Sequence, residues 1–433
     1  MKKRVVIFAH QCKPFQETGR EVASRRAFYF ARYLPDFDWD CTVFCASTET
    51  AERIVSGDGW RIVGVPQGEL PVGRKLWRAL MIREAGGIVR RGLSWWYSRR
   101  GDNSVAWAGR AVARALEIHR REPFDAIVGE HSPDGGVLAA HRFYKHTRLP
   151  YCLDVRDPVG IMHLADAGKL AFFQNRAGVA RAITTTTASW IEPFEKIYGI
   201  QTWAIPNGYD AGEMNAVPPA TFDKNTIVHT GSTYESQLEY FTDIAAALNA
   251  SDGSLRFWSA GYGAHRIRHT FGAAGALAHA EIFDHVTAEQ ALAAQKGAAA
   301  ILIVGHDYEV VSARLFEHIA SGTPVIYFPA DGREQERRLR CSGARFRVVK
   351  DVHELSRLFN EIAAGRAHWE RRENSSEQLS PHTRLQRAQR LGQVLDGICG
   401  LAPYPPKTDF EVDETVNDEG HTSGLASALS KSR

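Results

Sequence analysis

The chain has 433 residues, of which 44% are hydrophobic and 24% charged. That length asks for two or three domains of ordinary size, and the composition excludes a wholly disordered, fibrous or membrane-embedded protein. The 53 basic and 50 acidic residues leave a balance of +3, which gives no overall case for nucleic acid, although unlike regions can hide inside such a sum.

The start MKKRVVIFAH has only the short apolar run VVIFA before His10, and reads as a first strand rather than an export signal. Short apolar runs then alternate with helix-patterned segments, the signature of parallel sheets built from crossover units. The first series of strands is predicted at Arg4–Ala9, Asp40–Ala46, Arg61–Val65, Asp125–Glu130, Tyr151–Val155 and Ala182–Thr187. After Trp203–Ile205, the turn residues Pro206, Asn207 and Gly208 close that series. A second series follows at Thr226–Thr230, Leu255–Ala260, Glu281–His285, Ala300–Val304, Pro324–Phe328 and Phe346–Val349. The expected fold is α/β, with Rossmann-like domains over 1–205 and 206–402 hinged near Asn207. An α/β barrel also alternates, but the hinge and the restart at Asn225 favour two open sheets.

Cys12, Cys41, Cys45, Cys152, Cys341 and Cys399 are too sparse for a disulfide framework and read as reduced thiols. The longest apolar run, Ala298–Val304, is far shorter than the ~20 residues that span a bilayer. A cytoplasmic location is expected, with a peripheral place at the inner face of a membrane left open.

Two segments break the alternation. Residues 403–433 carry three prolines and few large apolar side chains, and a disordered tail is expected. Arg74–Arg100 holds eight Arg/Lys against one Glu, a local balance of +7, interleaved with Trp77, Trp95, Trp96 and Tyr97. It suits an anionic membrane surface or a charged acceptor. Alternatively its aromatic residues pack on the domain while the arginines stay in water. No recognition motif accompanies it, and nucleic acid is not expected as a partner.

The most informative stretch is Ala300–Phe328, a strand, polar loop, helix and strand. Glu309 falls in the loop and Glu317 in the helix. Val311, Leu315 and Ile319 form the helix's apolar seam, which places Arg314 and Glu317 together on another face. A helix N-terminus beyond a strand's carboxyl end suits an anion, so a diphosphate is expected near Glu309–Ser312. Arg314 would then reach the phosphates and Glu317 a ribose diol. On spacing alone, a solvated i,i+3 ion pair explains Arg314 and Glu317 equally well.

SARLFEHIASGTPVI, with Glu309 eight positions before Glu317, resembles the two-glutamate motif of retaining GT-B glycosyltransferases, particularly family 4. DVRDP (Asp154–Pro158), AIPNGYD (Ala204–Asp210) and HTGSTYES (His229–Ser236) resemble further segments of the same family. The resemblance implies a transferase that moves a sugar from a nucleotide-diphosphate-sugar donor to a glycan or lipid-linked acceptor in cell-surface polysaccharide assembly. It implies donor contacts at Gly19, Gly231, Ser232, Glu309, Arg314, Leu315 and Glu317. Glu309, His131 and Arg156 become the catalytic candidates, and Glu130, Asp154 and Asp157 the acceptor-side ones. Read without the family, Arg156 with Asp157 is a turn salt bridge and His131 a structural histidine.

No cofactor is expected beyond the nucleotide-sugar co-substrate, and no metal, since no Asp-x-Asp cluster stands at a strand end. Arg314 occupies a place where lysine is commoner, and the basic pair usual after the glycine at 231 is missing. Arg266 or Arg268, after the Gly261-x-Gly263 turn, is the alternative source of charge. The rival readings are a nucleotide-sugar epimerase of the same fold and a noncatalytic nucleotide-sugar or glycan-binding subunit.

Overall fold

The computed structural model describes residues 2–15, 21–67, 104–161, 167–251, 253–370 and 382–409. Gly19, the basic segment at 74–100 and residues 410–433 lie outside them. Two sheets carry the fold. The first holds β1 Lys3–Phe8, β2 Trp39–Ser47, β3 Arg53–Gly57, β4 Trp60–Pro66, β5 Ala126–His131, β6 Tyr151–Val155, β7 Ala182–Thr185 and β8 Thr202–Ala204, in the order β3-β4-β2-β1-β5-β6-β7-β8. The second holds β9 Asn225–Thr230, β10 Leu255–Ala260, β11 Ala280–Phe283, β12 Ala300–Val304, β13 Val325–Phe328 and β14 Phe346–Val348, in the order β11-β10-β9-β12-β13-β14.

All strand pairs are parallel except β3 with β4. Central strands covered on both faces are mostly apolar, which is why they stand out in the sequence. In β1, Val6 and Phe8 join one core with Trp107 and Phe143, while Val5 and Ile7 join the other with Trp39 and Cys41. That split follows the two-residue period of a strand. The antiparallel β3 carries no strand signal in the sequence because RIVSG is exposed at four of its five positions and lacks alternation. Its one signal is the Asp58–Gly59 turn, with Gly59 at φ +71°.

The boundary expected at 402 moves. The helix Arg384–Ile398 returns to the first domain, where Ala388, Leu391, Val394, Leu395 and Ile398 pack with Val5, Ile7 and Trp203. The chain therefore crosses between domains twice, and the two crossings run side by side. Tyr209 N–H donates to the His382 carbonyl at 3.1 Å, and Arg384 N–H donates to the Tyr209 carbonyl at 2.8 Å. A Cβ on Gly208 would stand 2.5 Å from the His382 oxygen, so the Asn-Gly turn admits the second strand of the hinge.

Residues 403–409 are not a free tail. Tyr404 stacks on Trp203 at 4.5 Å, and Trp203 Nε1 donates to the Pro405 carbonyl at 3.1 Å. Ala204 N–H donates to the Lys407 carbonyl at 2.8 Å, giving the edge strand β8 a partner. No helix among the described residues is long and apolar enough to cross a membrane.

Candidate functional site between the two domains

Ligands of open α/β sheets collect beyond the carboxyl ends of the strands. The loop after β12 lies there, gripped by the first domain. Trp190 Nε1 donates to the Glu309 carbonyl at 2.9 Å, and the Val311 amide donates to Thr187 Oγ1 at 3.3 Å. The Glu309 carboxylate accepts the Glu334 amide at 2.9 Å, Arg337 stands 4.0 Å from it, and its side chain remains 37% exposed. The Ser312 amide donates to Gln335 Oε1 at 2.6 Å. Two amides expected to receive a diphosphate therefore already have acceptors. The helix itself runs only over Leu315–Ala320, so Val311 belongs to the loop although it packs with Leu315 and Ile319. Leu315 is fully buried in that cluster, so its side chain belongs to the core.

Arg314 and Glu317 meet as the spacing predicts, Nη1 to Oε2, at 3.5 Å. The other Glu317 oxygen accepts Arg25 Nη1 at 2.8 Å, from the helix Glu21–Tyr33 of the first domain. Arg25 also pairs with Glu213, and Lys13 stands 3.7 Å from the same carboxylate. Lys13, Arg25, Glu213 and Glu317 line a cavity of about 340 Å³ with Met214 and Leu292 on its apolar wall. That volume is at the lower end for a small-molecule site.

Gly231, at φ +150°, opens a loop that runs against the Gly261–Gly263 turn. The Gly231 amide donates to the Ala260 carbonyl at 3.1 Å and the Thr233 amide to the Tyr262 carbonyl at 2.8 Å. A Cβ on Gly261 would fall 1.9 Å from the Gly231 oxygen, so the second glycine turn is a packing device. Ser232 is exposed on this loop. Beneath it, His229 Nδ1 is 3.0 Å from Ser259 Oγ and His318 Nε2 is 2.9 Å from Thr230 Oγ1. Burial, then the Arg314 charge, holds these rings neutral, at about 4 and about 3. Arg268 pairs with Asp284, and Arg266 donates to the Thr233 carbonyl at 3.1 Å.

In the first domain, the residues read as facing the cleft divide. Asp157 is exposed, and its charge acts on the Tyr308 phenol of the opposite domain, which burial foremost pushes up to about 12. Asp154 does not reach the cleft. It is 1% exposed and held by both Arg26 nitrogens, Nε and Nη2, at 2.7 Å, with Thr184 Oγ1 also at 2.7 Å. His131 is buried edge-on to Phe173 and lies 3.5 Å from Asp134. Burial, then Lys169 and Arg156, holds the ring well below its ordinary value, so it is neutral and shielded. Arg156 bonds the His131 and Ser132 carbonyls and lies 3.1 Å from Glu130.

Burial raises the Glu130 carboxyl from 4.5 to about 7, with Arg156 opposing the shift. The folded protein therefore keeps a proton that the unfolded chain loses, and stability drains away as pH rises from about 4.5 to 7. Glu130→Gln is expected to flatten the urea-unfolding midpoint across that window. An undiminished slope in the variant would assign the effect to another group.

No motif or spacing in the sequence marks Arg25, Trp190 or Glu334. Each meets its partner across more than 100 positions of chain, and no local spacing announces such a contact.

No family model and no curated protein matches the sequence. Solved structures do. Sucrose-phosphate synthase from Thermosynechococcus elongatus is 14% identical and covers 92% of this chain and 100% of its own, with a TM-score of 0.65. The Anabaena protein HepE, solved with UDP and glucose, is 12% identical, covering 92% of this chain and 97% of that one at a TM-score of 0.54. A putative UDP-N-acetylglucosamine 2-epimerase from Listeria monocytogenes is 10% identical, covering 95% and 100% at a TM-score of 0.52. At these identities the likeness speaks for fold alone. A sheet of eight strands, parallel but for β3, and a parallel sheet of six, joined by a double crossing, make this chain a GT-B fold.

Proposed function

We propose that the protein is a glycosyltransferase that takes a sugar from a nucleotide-diphosphate donor and passes it to a glycan or lipid-linked acceptor, in the assembly of a cell-surface polysaccharide. The observation that carries this reading is the meeting of Arg314 and Glu317 opposite Arg25, beside a cavity between the domains of a GT-B fold. In this reading Glu317 accepts hydrogen bonds from the donor ribose and Arg314 stabilises the departing diphosphate. Glu309, whose carboxylate keeps an exposed side, lies by the donor sugar. Such catalysis is chiefly electrostatic: fixed charges and dipoles favour the separating diphosphate while closed domains exclude water. Retention of the anomeric configuration belongs to the same proposal, as does docking of the segment 74–100 on an anionic membrane.

The test is a thermal-shift screen of nucleotide sugars followed by a donor-hydrolysis assay. UDP and UDP-glucose come first because HepE is solved with them. A raised melting point and slow hydrolysis without acceptor are expected. Interconversion of the donor sugar with no release of nucleotide would instead make the protein an epimerase, and no shift with any nucleotide sugar would remove the donor altogether.

A further inference from the structure

Glu334 stands at the joint of the two domains. It opens the helix Glu334–Cys341 and is 1% exposed. Its carboxylate accepts three donors of the first domain: the Ala188 amide at 3.0 Å, the Ser189 amide at 2.8 Å and the Ser189 hydroxyl at 2.9 Å. Arg338, one turn further along, donates to it at 2.7 Å and lies 3.5 Å from Asp409, the end of the segment that runs past β8. Meanwhile the main-chain amide of Glu334 donates to the Glu309 carboxylate. One residue thus holds the first domain by its side chain and Glu309 by its backbone.

These bonds belong together. A buried carboxylate needs its donors, because an unmatched charge away from water is strongly disfavoured. If the domains part, Glu334 loses three of its donors at once, and the Glu309 carbonyl loses Trp190 in the same movement. The amide aimed at Glu309 is then fixed by its own helix alone.

We propose that Glu334 is a positioning residue that couples closure of the two domains to the orientation of the Glu309 carboxylate. The proposal rests on the reading of Glu309 as the group beside the donor sugar. Domain closure then does more than shut out water: it sets the group that acts on the sugar. Glu334→Gln keeps the volume but turns one acceptor into a donor facing amides that also donate. Ser189→Ala removes one bond and leaves both amides in place.

The experiment combines amide hydrogen exchange with kinetics on the full chain. In Glu334→Gln, exchange is expected to quicken about tenfold or more at residues 187–191 and at 309–312, with the peptides of β9 and β10 unchanged. Ser189→Ala should give the same pattern at roughly two- to fivefold, and decides the matter if Glu334→Gln does not fold. With UDP-glucose or whichever nucleotide sugar stabilises the protein, kcat for donor hydrolysis should fall by about tenfold or more in Glu334→Gln while the donor KM stays within about threefold. Faster exchange at 187–191 with none at 309–312 overturns the coupling. So does a uniform rise over both domains, which marks a residue of stability only, and so does an unaltered kcat. If the wild type hydrolyses no nucleotide sugar, the transferase reading falls while the exchange comparison still decides whether Glu334 links the domains.

Discussion

Asp154→Ala is expected to lower the unfolding free energy by about 3–5 kcal/mol, the cost of leaving a buried guanidinium without its partner. Arg26 and Asp154 are each 1% exposed, and their two contacts of 2.7 Å form a buried fork. Thr184 Oγ1 would also lose its acceptor. The pair fastens the helix Glu21–Tyr33 to β6, and Arg26 Nη1 reaches the Pro206 carbonyl at 3.4 Å, where the chain leaves the first domain. Urea unfolding followed by tryptophan fluorescence measures the loss. Replacing both partners by leucine should recover most of it, since well-packed apolar side chains often substitute for a buried ion pair at little cost. A single-variant loss below about 1 kcal/mol would mean that the fork contributes no more than a surface pair.

Glu317→Ala is expected to weaken donor affinity by about 1–3 kcal/mol, roughly five- to 150-fold, through the loss of charge-assisted hydrogen bonds to the ribose. Titration calorimetry with a nucleotide that raises the melting point is the measurement. The structure adds a condition. Glu317 already accepts a hydrogen bond from Arg25, so the donor must share that carboxylate or displace the arginine toward Glu213. Arg25→Met should therefore bind the donor at least as tightly as the wild type while weakening the contact between the domains. Unchanged affinity in Glu317→Ala would leave Glu317 as an interdomain ion-pair partner and nothing more.

The legible parts of this chain were those in which one short stretch carries its own explanation. Tyr151–Val155, Leu255–Ala260 and Ala300–Val304 are strands at the residues expected, because a strand covered on both faces is mostly apolar along its length. Arg314 and Glu317 lie together because three positions on a helix share a side. Asp154 was misplaced for a similar reason in reverse. DVRDP looks like a polar strand end opening on a cleft, yet Asp154 shares the face of Cys152, which packs in a core beneath the helix that brings Arg26. The Leu315 side chain, next to Arg314 in the motif, packs in the core.

By itself the sequence determined two sheets, a break at Pro206–Gly208 and the pairing of Arg314 with Glu317. Each follows from apolar period, turn chemistry or helical spacing, which act over a few residues. Only the tertiary structure decided that the helix Arg384–Ile398 returns to the first domain, that Arg25 faces Glu317, and that Glu334 joins the turn Ala188–Trp190 to Glu309. These contacts join residues 25 to 292 positions apart or gather a last helix onto a first sheet. The helix returns because its apolar face finds the first core, and the polar contacts form because a buried charge takes whatever donors the folded chain supplies; no local pattern records either partner.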